Sequence, residues 1–403
     1  MDAAALKSSW EKVAKCGDEV PLFFYSHLFL SHPELRPMFP ISMAAQRDRL
    51  VGALGRIVSN VDDLPSVTPF IQQLGRDHRR FSVVASHYTA VGASLLATLK
   101  HFLGAAWNDE LAGDWAAAYG VIARVMVEAA EESAESSPAW WDAVVVHAER
   151  RTMDVSVLTI RPEEPYPYLP GQSFAMEVEQ RPRLWRYFSP ANAPCDDGLI
   201  ELHVQLVDGG QVSGPLVRSV KSGDTVRLGS PVGDTLTLPD GERRDLLMVA
   251  GGTGLAPLRA VLQQLDQEWQ AHGSGPRVHL FHGVRVPWSL YDRDRMKELA
   301  STRPWFEYTE VVSDDPSYPG ARGLVGSVAA ASEAWRGRAA MVCGGPQMVA
   351  HTVEQLTQAG MPQGDIRFEE FSHVGAGDGV DDDADHDVDE AADLVASGTG
   401  EHR

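Results

Sequence analysis

The sequence predicts a multidomain chain: an all-α domain, then an antiparallel β-barrel, then an α/β domain built on a parallel sheet. Three observations carry this. Through residues 3–135 apolar side chains recur every three or four positions. From Trp140 they alternate in short runs separated by turn residues. From Leu246 apolar runs that end in glycine-rich turns alternate with helical patterns. The changes of period place the domains at 1–137, 138–242 and 243–372, followed by an acidic tail at 373–403.

The length of 403 residues suits two or three domains of about 150 residues each. Composition is that of a soluble globular protein, 44% hydrophobic and 23% charged. The net charge of −21 is unevenly placed. The last 31 residues hold ten Asp plus Glu and one Arg, so −9 falls there and −12 on the other 372. That balance excludes nucleic acid as a partner for the body of the protein. The tail reads as disordered, and it is a candidate contact for an unknown partner. Cys16, Cys195 and Cys343 are few and far apart, which fits a reducing compartment and no disulfide framework. There is no signal pattern at the N-terminus and no apolar run of about 18 residues, so the expectation is a cytoplasmic protein without a membrane span.

The helical period runs through Leu6, Trp10 and Val13, through Leu22, Tyr25, Leu28 and Phe29, and through Leu50, Leu54, Ile57 and Val58. It continues through Val91, Leu95, Leu96 and Leu99, and through Trp115, Tyr119, Ile122 and Met126. Prolines 33, 37 and 40 predict a short helix and a corner. Another helical run starts near Pro69 and ends at His78. Strand segments follow at 143–148, 155–160, 200–206 and 226–228, then at 246–250, 278–283, 306–312 and 340–344. A helix from about Pro257 to Gln270 follows the first strand of the last domain.

Two turns carry chemistry. Gly251-Gly252-Thr253-Gly254-Leu255-Ala256-Pro257 follows a strand and opens a helix. Small residues there let the backbone approach a pyrophosphate, whose charge the helix N-terminus favours. Cys343-Gly344-Gly345-Pro346-Gln347-Met348 ends the last long strand. Two such turns at strand C-termini flank a dinucleotide crevice. In the barrel, Arg186-Tyr187-Phe188-Ser189 supplies a guanidinium for a pyrophosphate and a hydroxyl for a flavin edge, and Gly210-Gln211-Val212-Ser213 can wrap phosphates.

On these motifs, residues about 140–372 resemble the ferredoxin-reductase superfamily, an FAD-binding barrel followed by an NAD(P)H-binding domain. Phe188 stands where that family has Tyr, and Gly345 where Pro is common. Phe371, in Phe368-Glu369-Glu370-Phe371, matches the aromatic residue near the flavin. Residues 1–135 resemble a globin, and the three domains in this order resemble the flavohaemoglobins. The resemblance implies haem b, FAD and NADH or NADPH as cofactors. Within Gln73-Leu74-Gly75-Arg76-Asp77-His78-Arg79-Arg80-Phe81 it implies His78 as the iron ligand, with Tyr88 beside it. It implies Tyr25 and Gln46 on the oxygen side, Tyr25 donating a hydrogen bond and Gln46 supporting it, with Phe39 and Leu50 keeping the pocket apolar. Two departures stand out. Ala130 falls where a Glu supports the proximal His, with Glu131 one helix step of about 100° away. Asp77 stands where Lys is often seen.

The activity implied is nitric oxide dioxygenase, a detoxification of nitrosative stress in which electrons pass from NAD(P)H through FAD to haem, and O2 held by ferrous haem oxidises NO to nitrate. Two other classes stay open: a haem–flavin oxidoreductase acting on an organic acid or lipid peroxide, favoured by the altered proximal residues, and an O2- or NO-binding sensor whose reductase keeps its own iron ferrous. Leu290-Tyr291-Asp292, after Gly283-Val284-Arg285, looks like the NADH-preferring relatives.

Overall fold

The structure, a computed structural model, describes residues 1–238, 244–332 and 334–371. The expected acidic tail at 373–403 and the expected boundary at 242/243 lie outside the described residues.

The first unit is helical, as its period predicts: α1 (Ala3–Ala14), α2 (Glu19–Ser31), α3 (Ala44–Ser59), α4 (Leu64–His78), α5 (Ala85–Leu103) and α6 (Asp109–Ser136). Side-chain caps set two of the starts. Asp2 accepts the Ala5 amide at 3.0 Å, and Asn108 accepts the Leu111 amide at 2.9 Å. The proline cluster forms a 3-10 turn, Pro33–Met38.

Helix α4 begins five residues earlier than the sequence suggested. Pro65 occupies its first turn, where no amide donor is needed. Pro69 is inside the helix and costs it the single bond that its amide would have made to residue 65. Further along, α4 crosses α6 so closely that a Cβ on Gly75 would lie 2.7 Å from the Met126 Cα. The residue three positions before His78 therefore has to be glycine.

The second unit is a six-stranded antiparallel sheet: β1 (Trp141–Arg150), β2 (Val155–Pro162), β3 (Ser173–Val178), β4 (Trp185–Phe188), β5 (Ile200–Gln205) and β6 (Thr225–Val232), with the short helix α7 (Ser213–Arg218). The strand order is β4-β3-β6-β1-β2-β5, and a bridge between Pro190 and Leu202 joins the two edges into a barrel. Strand β3 gave no alternation because Phe174 to Val178 are all buried, Glu177 included. That carboxylate is held there by the Arg183 amide and by Arg227, at 3.4 Å.

The third unit is parallel: β7 (Leu246–Gly251), α8 (Leu255–His272), β8 (Val278–Val284), α9 (Arg293–Thr302), β9 (Phe306–Val312), β10 (Ala321–Arg322), α10 (Val325–Ala331), β11 (Ala339–Gly344), α11 (Pro346–Gln358) and β12 (Ile366–Glu370). Strand order is β10-β9-β8-β7-β11-β12. Alternate residues of β7 enter opposite cores, Leu246 and Met248 one, Leu247 and Val249 the other. A sheet covered on both faces explains why β7 reads as a continuous apolar run. Among the described residues no single helix is long and apolar enough to cross a membrane.

Replacing Gly75 by Val forces α4 away from α6. The expected loss is about 1–3 kcal/mol, the usual cost of overpacking, read as a lower thermal or urea midpoint for the helical unit.

Candidate active site

The C-terminal end of α4 presents His78. Its Nδ1 lies 2.6 Å from the Leu74 carbonyl, so that nitrogen carries the proton and Nε2 keeps its lone pair. Burial holds the imidazole below its ordinary pKa, against the opposing pull of the Leu74 carbonyl and Asp77, so the neutral form is favoured. Tyr88, near the start of α5, sets its ring 6.3 Å from that of His78 at 34°. It packs on the histidine; among the described residues its hydroxyl makes no hydrogen bond to it. Tyr119 on α6 fixes this part of α5 by donating to the Tyr88 carbonyl at 2.7 Å.

On α2, Tyr25 is buried within a ring cluster. Its centroid is 5.8 Å from Phe29 and 5.6 Å from Phe39, and Phe29 is 5.2 Å from Phe39. Leu50 packs against the same core. The Tyr25 hydroxyl donates to the main-chain carbonyl of Gln46 at 3.2 Å. Gln46 meets Tyr25 in two ways: its backbone carbonyl accepts the hydroxyl, and its side chain also lies within hydrogen-bonding reach of the Tyr25 oxygen. Burial raises the Tyr25 pKa, so it remains a protonated donor.

In the barrel, Arg186 donates to the Trp185 carbonyl at 3.0 Å, and Phe188 packs against the barrel core. Ser189 is buried, and its hydroxyl has no hydrogen-bond partner among the described residues. Gly210 and Ser213 close a tight turn in which Ser213 Oγ accepts the Val207 amide at 3.1 Å. Val212 is buried in the barrel core, so only its backbone can meet a ligand.

The two glycine turns come together. Strands β7 and β11 pair in parallel with Ala250 opposite Cys343, so both turns leave adjacent strand ends. A Cβ on Gly254 would collide with the Cys343 carbonyl, and one on Gly251 would meet Met348 Cε at 2.5 Å. Gly344 is equally closed to a side chain, and Gly252 has φ +55°. Thr253 and Pro257 are buried at the head of α8. Gly345 caps α11, with Pro346 in that helix's first turn. The Phe371 amide donates to the Gly344 carbonyl at 2.7 Å, which pins the aromatic beside this turn. Because the connections run to opposite sides of the β7–β11 pair, the crevice sits at the switch point of the sheet, where such folds bind dinucleotides.

Comparisons with known proteins divide the chain in the same way. Residues 22–126 match the Globin family, 142–236 the Oxidoreductase FAD-binding domain and 248–354 the Oxidoreductase NAD-binding domain. A flavohemoprotein of Bordetella parapertussis is 29% identical over 322 residues, 75% of this chain and 78% of that protein. One from Bacillus subtilis is 27% identical over 274 residues, 64% and 68% of the two chains. The crystal structure of flavohemoglobin from Malassezia yamatoensis with bound FAD and heme covers 92% of this chain and 98% of that one, with a TM-score of 0.72 at 17% identity, and so shares its fold. The chain belongs to the flavohaemoglobins. It is a haem–flavin oxidoreductase whose cofactors are haem, FAD and NAD(P)H.

The residues of this flavohaemoglobin fit those groups. Phe39, Leu50, Leu54, Leu74 and Tyr88 are all only part-buried although they pack against apolar clusters, which suits a flat apolar macrocycle. The Ser189 hydroxyl is a buried polar atom in want of a partner, which suits a flavin edge. The glycines at 251, 254 and 344 leave a backbone surface that a pyrophosphate can approach. On the proximal side the acceptor for His78 is the Leu74 carbonyl. Glu131 and Glu132 are exposed, and among the described residues no α6 carboxylate bonds the ring.

The sequence reading missed a buried polar network between the barrel and the parallel sheet. His203 Nδ1 meets the Tyr291 hydroxyl at 2.8 Å, and its Nε2 lies 3.0 Å from Glu201 and 2.7 Å from Arg259 Nη1. Arg259 on α8 also pairs with Glu201, and with Asp292 at 3.5 Å. Burial alone would raise the Glu201 pKa; hydrogen bonds from His203 and Arg259 hold it well below the usual carboxylate range. Tyr291 and Asp292, of the segment that looks like the NADH-preferring relatives, are buried in this network. Glu201 and His203 occupy one face of an alternating strand, a pattern that normally means solvent. Nearby, His282 Nε2 donates to the Gly252 carbonyl at 3.0 Å and holds the glycine turn from beneath. Glu369, on β12 beside Cys343, has its pKa raised to about 7 by burial.

Two outcomes follow. Ser189→Ala leaves the fold intact and weakens flavin retention about tenfold, the scale of one lost hydrogen bond, as measured by flavin titration of the deflavinated protein. Burial pulls His282 down to about 4 from 6.5. Its neutral form contributes stability that is full above pH 6.5 and is lost as pH falls through about 4, by roughly 3 kcal/mol at most. Protection factors of the β7 and β8 amides, corrected for the intrinsic pH dependence of exchange, should therefore fall over that window in the wild type, and much less in His282→Asn.

Proposed function

We propose that this flavohaemoglobin is a nitric oxide dioxygenase that uses NO and O2 as substrates and NAD(P)H as reductant. The observation that carries the reading is the pairing of a neutral His78, with Nε2 uncommitted, and a buried protonated Tyr25 in the same helical unit. When bound, the cofactors supply a two-electron donor, a flavin that splits the pair, and an iron at which O2 and NO combine to nitrate.

The side chains do the rest. His78 holds the iron through Nε2, and the Leu74 carbonyl keeps its ring from rotating. Tyr25, whose hydroxyl donates to the Gln46 carbonyl, would offer that proton to negative charge developing on this side of the site. Phe39 and Leu50 exclude water from this side. Arg186, Ser189 and the backbone at Gly210, Val212 and Ser213 hold the flavin. The turns at 251–254 and 343–346 would hold the nicotinamide dinucleotide, and Phe371, tied to the Gly344 carbonyl, would lie near the flavin. Three free cysteines support a reducing, cytoplasmic setting in which this activity removes nitrosative stress.

With NADH and O2 present, the wild type should consume NO, and His78→Ala should not. Equal rates in the two would sink the reading. Tyr25→Phe should slow NO consumption by about ten- to a hundredfold, the scale of one lost donor at a charge-developing centre, with flavin reduction unchanged. A second reading, turnover of an organic acid or a lipid peroxide, is favoured by the carbonyl in place of a carboxylate behind His78. Flavin reduction by such an acid without nicotinamide would decide for it.

A further inference from the structure

Immediately after His78 the chain makes a single 3-10 turn, Arg79–Phe81, closed by Ser82 at φ +58°. Its side chains go to two places. Arg79 reaches α6, donating to Ser133 Oγ and to the Ser137 carbonyl, each at 2.6 Å, close to where β1 begins. Arg80 and Phe81 reach the barrel. The Arg80 guanidinium lies 5.5 Å from the Trp185 ring centre and 5.8 Å from that of Tyr187, and the Phe81 and Trp185 rings meet edge to face at 6.3 Å. Asp77 holds Arg80 Nη1 from the other side at 3.4 Å. On the barrel side that nitrogen lies beside Gly229, at ordinary contact distance from where a Cβ would stand.

Strand β4 is therefore two-sided. Successive side chains of a strand point to opposite faces, so Trp185 and Tyr187 share the face that meets the helical unit. Arg186 and Phe188, of the flavin motif, share the other. One strand separates the contact made by the turn after His78 from the residues proposed to hold the flavin.

We infer that Arg80, seated on Trp185 and Tyr187, is a positioning residue that sets the spacing between flavin and iron for electron transfer. The inference rests on the cofactor sites proposed above. In the step concerned, one electron leaves the reduced flavin and one ferric iron becomes ferrous; NAD(P)H supplies the electrons. The rate of such a step falls steeply with distance, so a contact that fixes how the two units dock controls it. A guanidinium suits the role because it is planar and stacks on rings; an ammonium does not.

The test uses the full-length protein loaded with haem and FAD, mixed with NADH under CO without oxygen or NO. Flavin bleaching and formation of the CO-bound ferrous haem band are followed separately. In Arg80→Ala the first rate should stay at the wild-type value, and the second should fall about tenfold, the scale of one lost cation–π contact. Arg80→Lys should recover little of it, whereas Trp185→Phe, which keeps a ring face, should stay near wild type. Tyr187→Leu, altered on the barrel side alone, should slow haem reduction as well, and adding it to Arg80→Ala should slow it little further. Amide exchange at 79–81 and 185–188 in the oxidised protein should rise in Arg80→Ala. Unchanged haem reduction with unchanged exchange in both Arg80→Ala and Tyr187→Leu would overturn the inference, as would an equal fall in both rates. No NO is present in this assay, so a failure of the dioxygenase reading leaves its outcome intact.

Discussion

The hydrogen bond from His78 Nδ1 to the Leu74 carbonyl is the constraint on which the helical half depends. It lies within one helix, so its geometry is only as good as that helix is straight and fixed. Gly75 serves this by letting α4 lie directly on the Met126 backbone. A displaced α4 would turn the ring, move Nε2, and shift the Arg79–Phe81 turn that starts at the next residue. The orientation of the proposed iron ligand, the packing against α6 and the contact with the barrel therefore have one origin.

The two junctions of the chain are built on different physics. Between the helical unit and the barrel, a cation lies over aromatic rings and its carboxylate neighbour is weakly placed. Between the barrel and the parallel sheet, Glu201, His203, Arg259, Tyr291 and Asp292 form a buried network. Burying charges costs several kcal/mol each unless their partners are well placed, so such a network tolerates essentially one arrangement. The contrast matches what crosses each junction. A hydride needs its reacting atoms within about 3–3.5 Å. A single electron does not, and an adjustable stack of rings suffices to hold its distance.

The sequence made the architecture legible because the hydrophobic period changes twice, from helical to alternating at Trp140 and to long buried runs at Leu246. It failed at β3, where burial on both faces erased the alternation, and at the start of α4, which was placed near Pro69 although the helix runs through that proline from Leu64. The glycine turns were legible because their backbones approach closely, to the point that a Cβ on Gly254 would strike the Cys343 backbone. Gln46 was legible as a side chain beside Tyr25, but not the second contact, which its backbone carbonyl makes. Glu201 and His203 could not be read at all: nothing local tells a polar strand face in water from one covered by α8. Arg80 looked like one more surface cation, because its partners are about a hundred residues away in the barrel.

With His78 as the proposed iron ligand, the carbonyl behind it would also redistribute the work between the two sides of the haem. A carboxylate acceptor draws the Nδ1 proton strongly and gives the ring imidazolate character; a neutral carbonyl accepts a weaker bond, roughly half as strong. Less electron density then reaches the iron, and the negative charge on a bound diatomic depends more on the distal donor. That donor is not idle. Tyr25 already bonds the Gln46 carbonyl and must give up this bond to serve a ligand, so its net contribution is the difference between the two. The difference favours the ligand only if that oxygen carries more charge than a peptide carbonyl. On the proposed function the arrangement would discriminate: Tyr25 would stay with Gln46 beside a weakly polarised guest such as CO and turn to O2. On that reading, ligand selectivity in this chain would rest mainly on one hydroxyl.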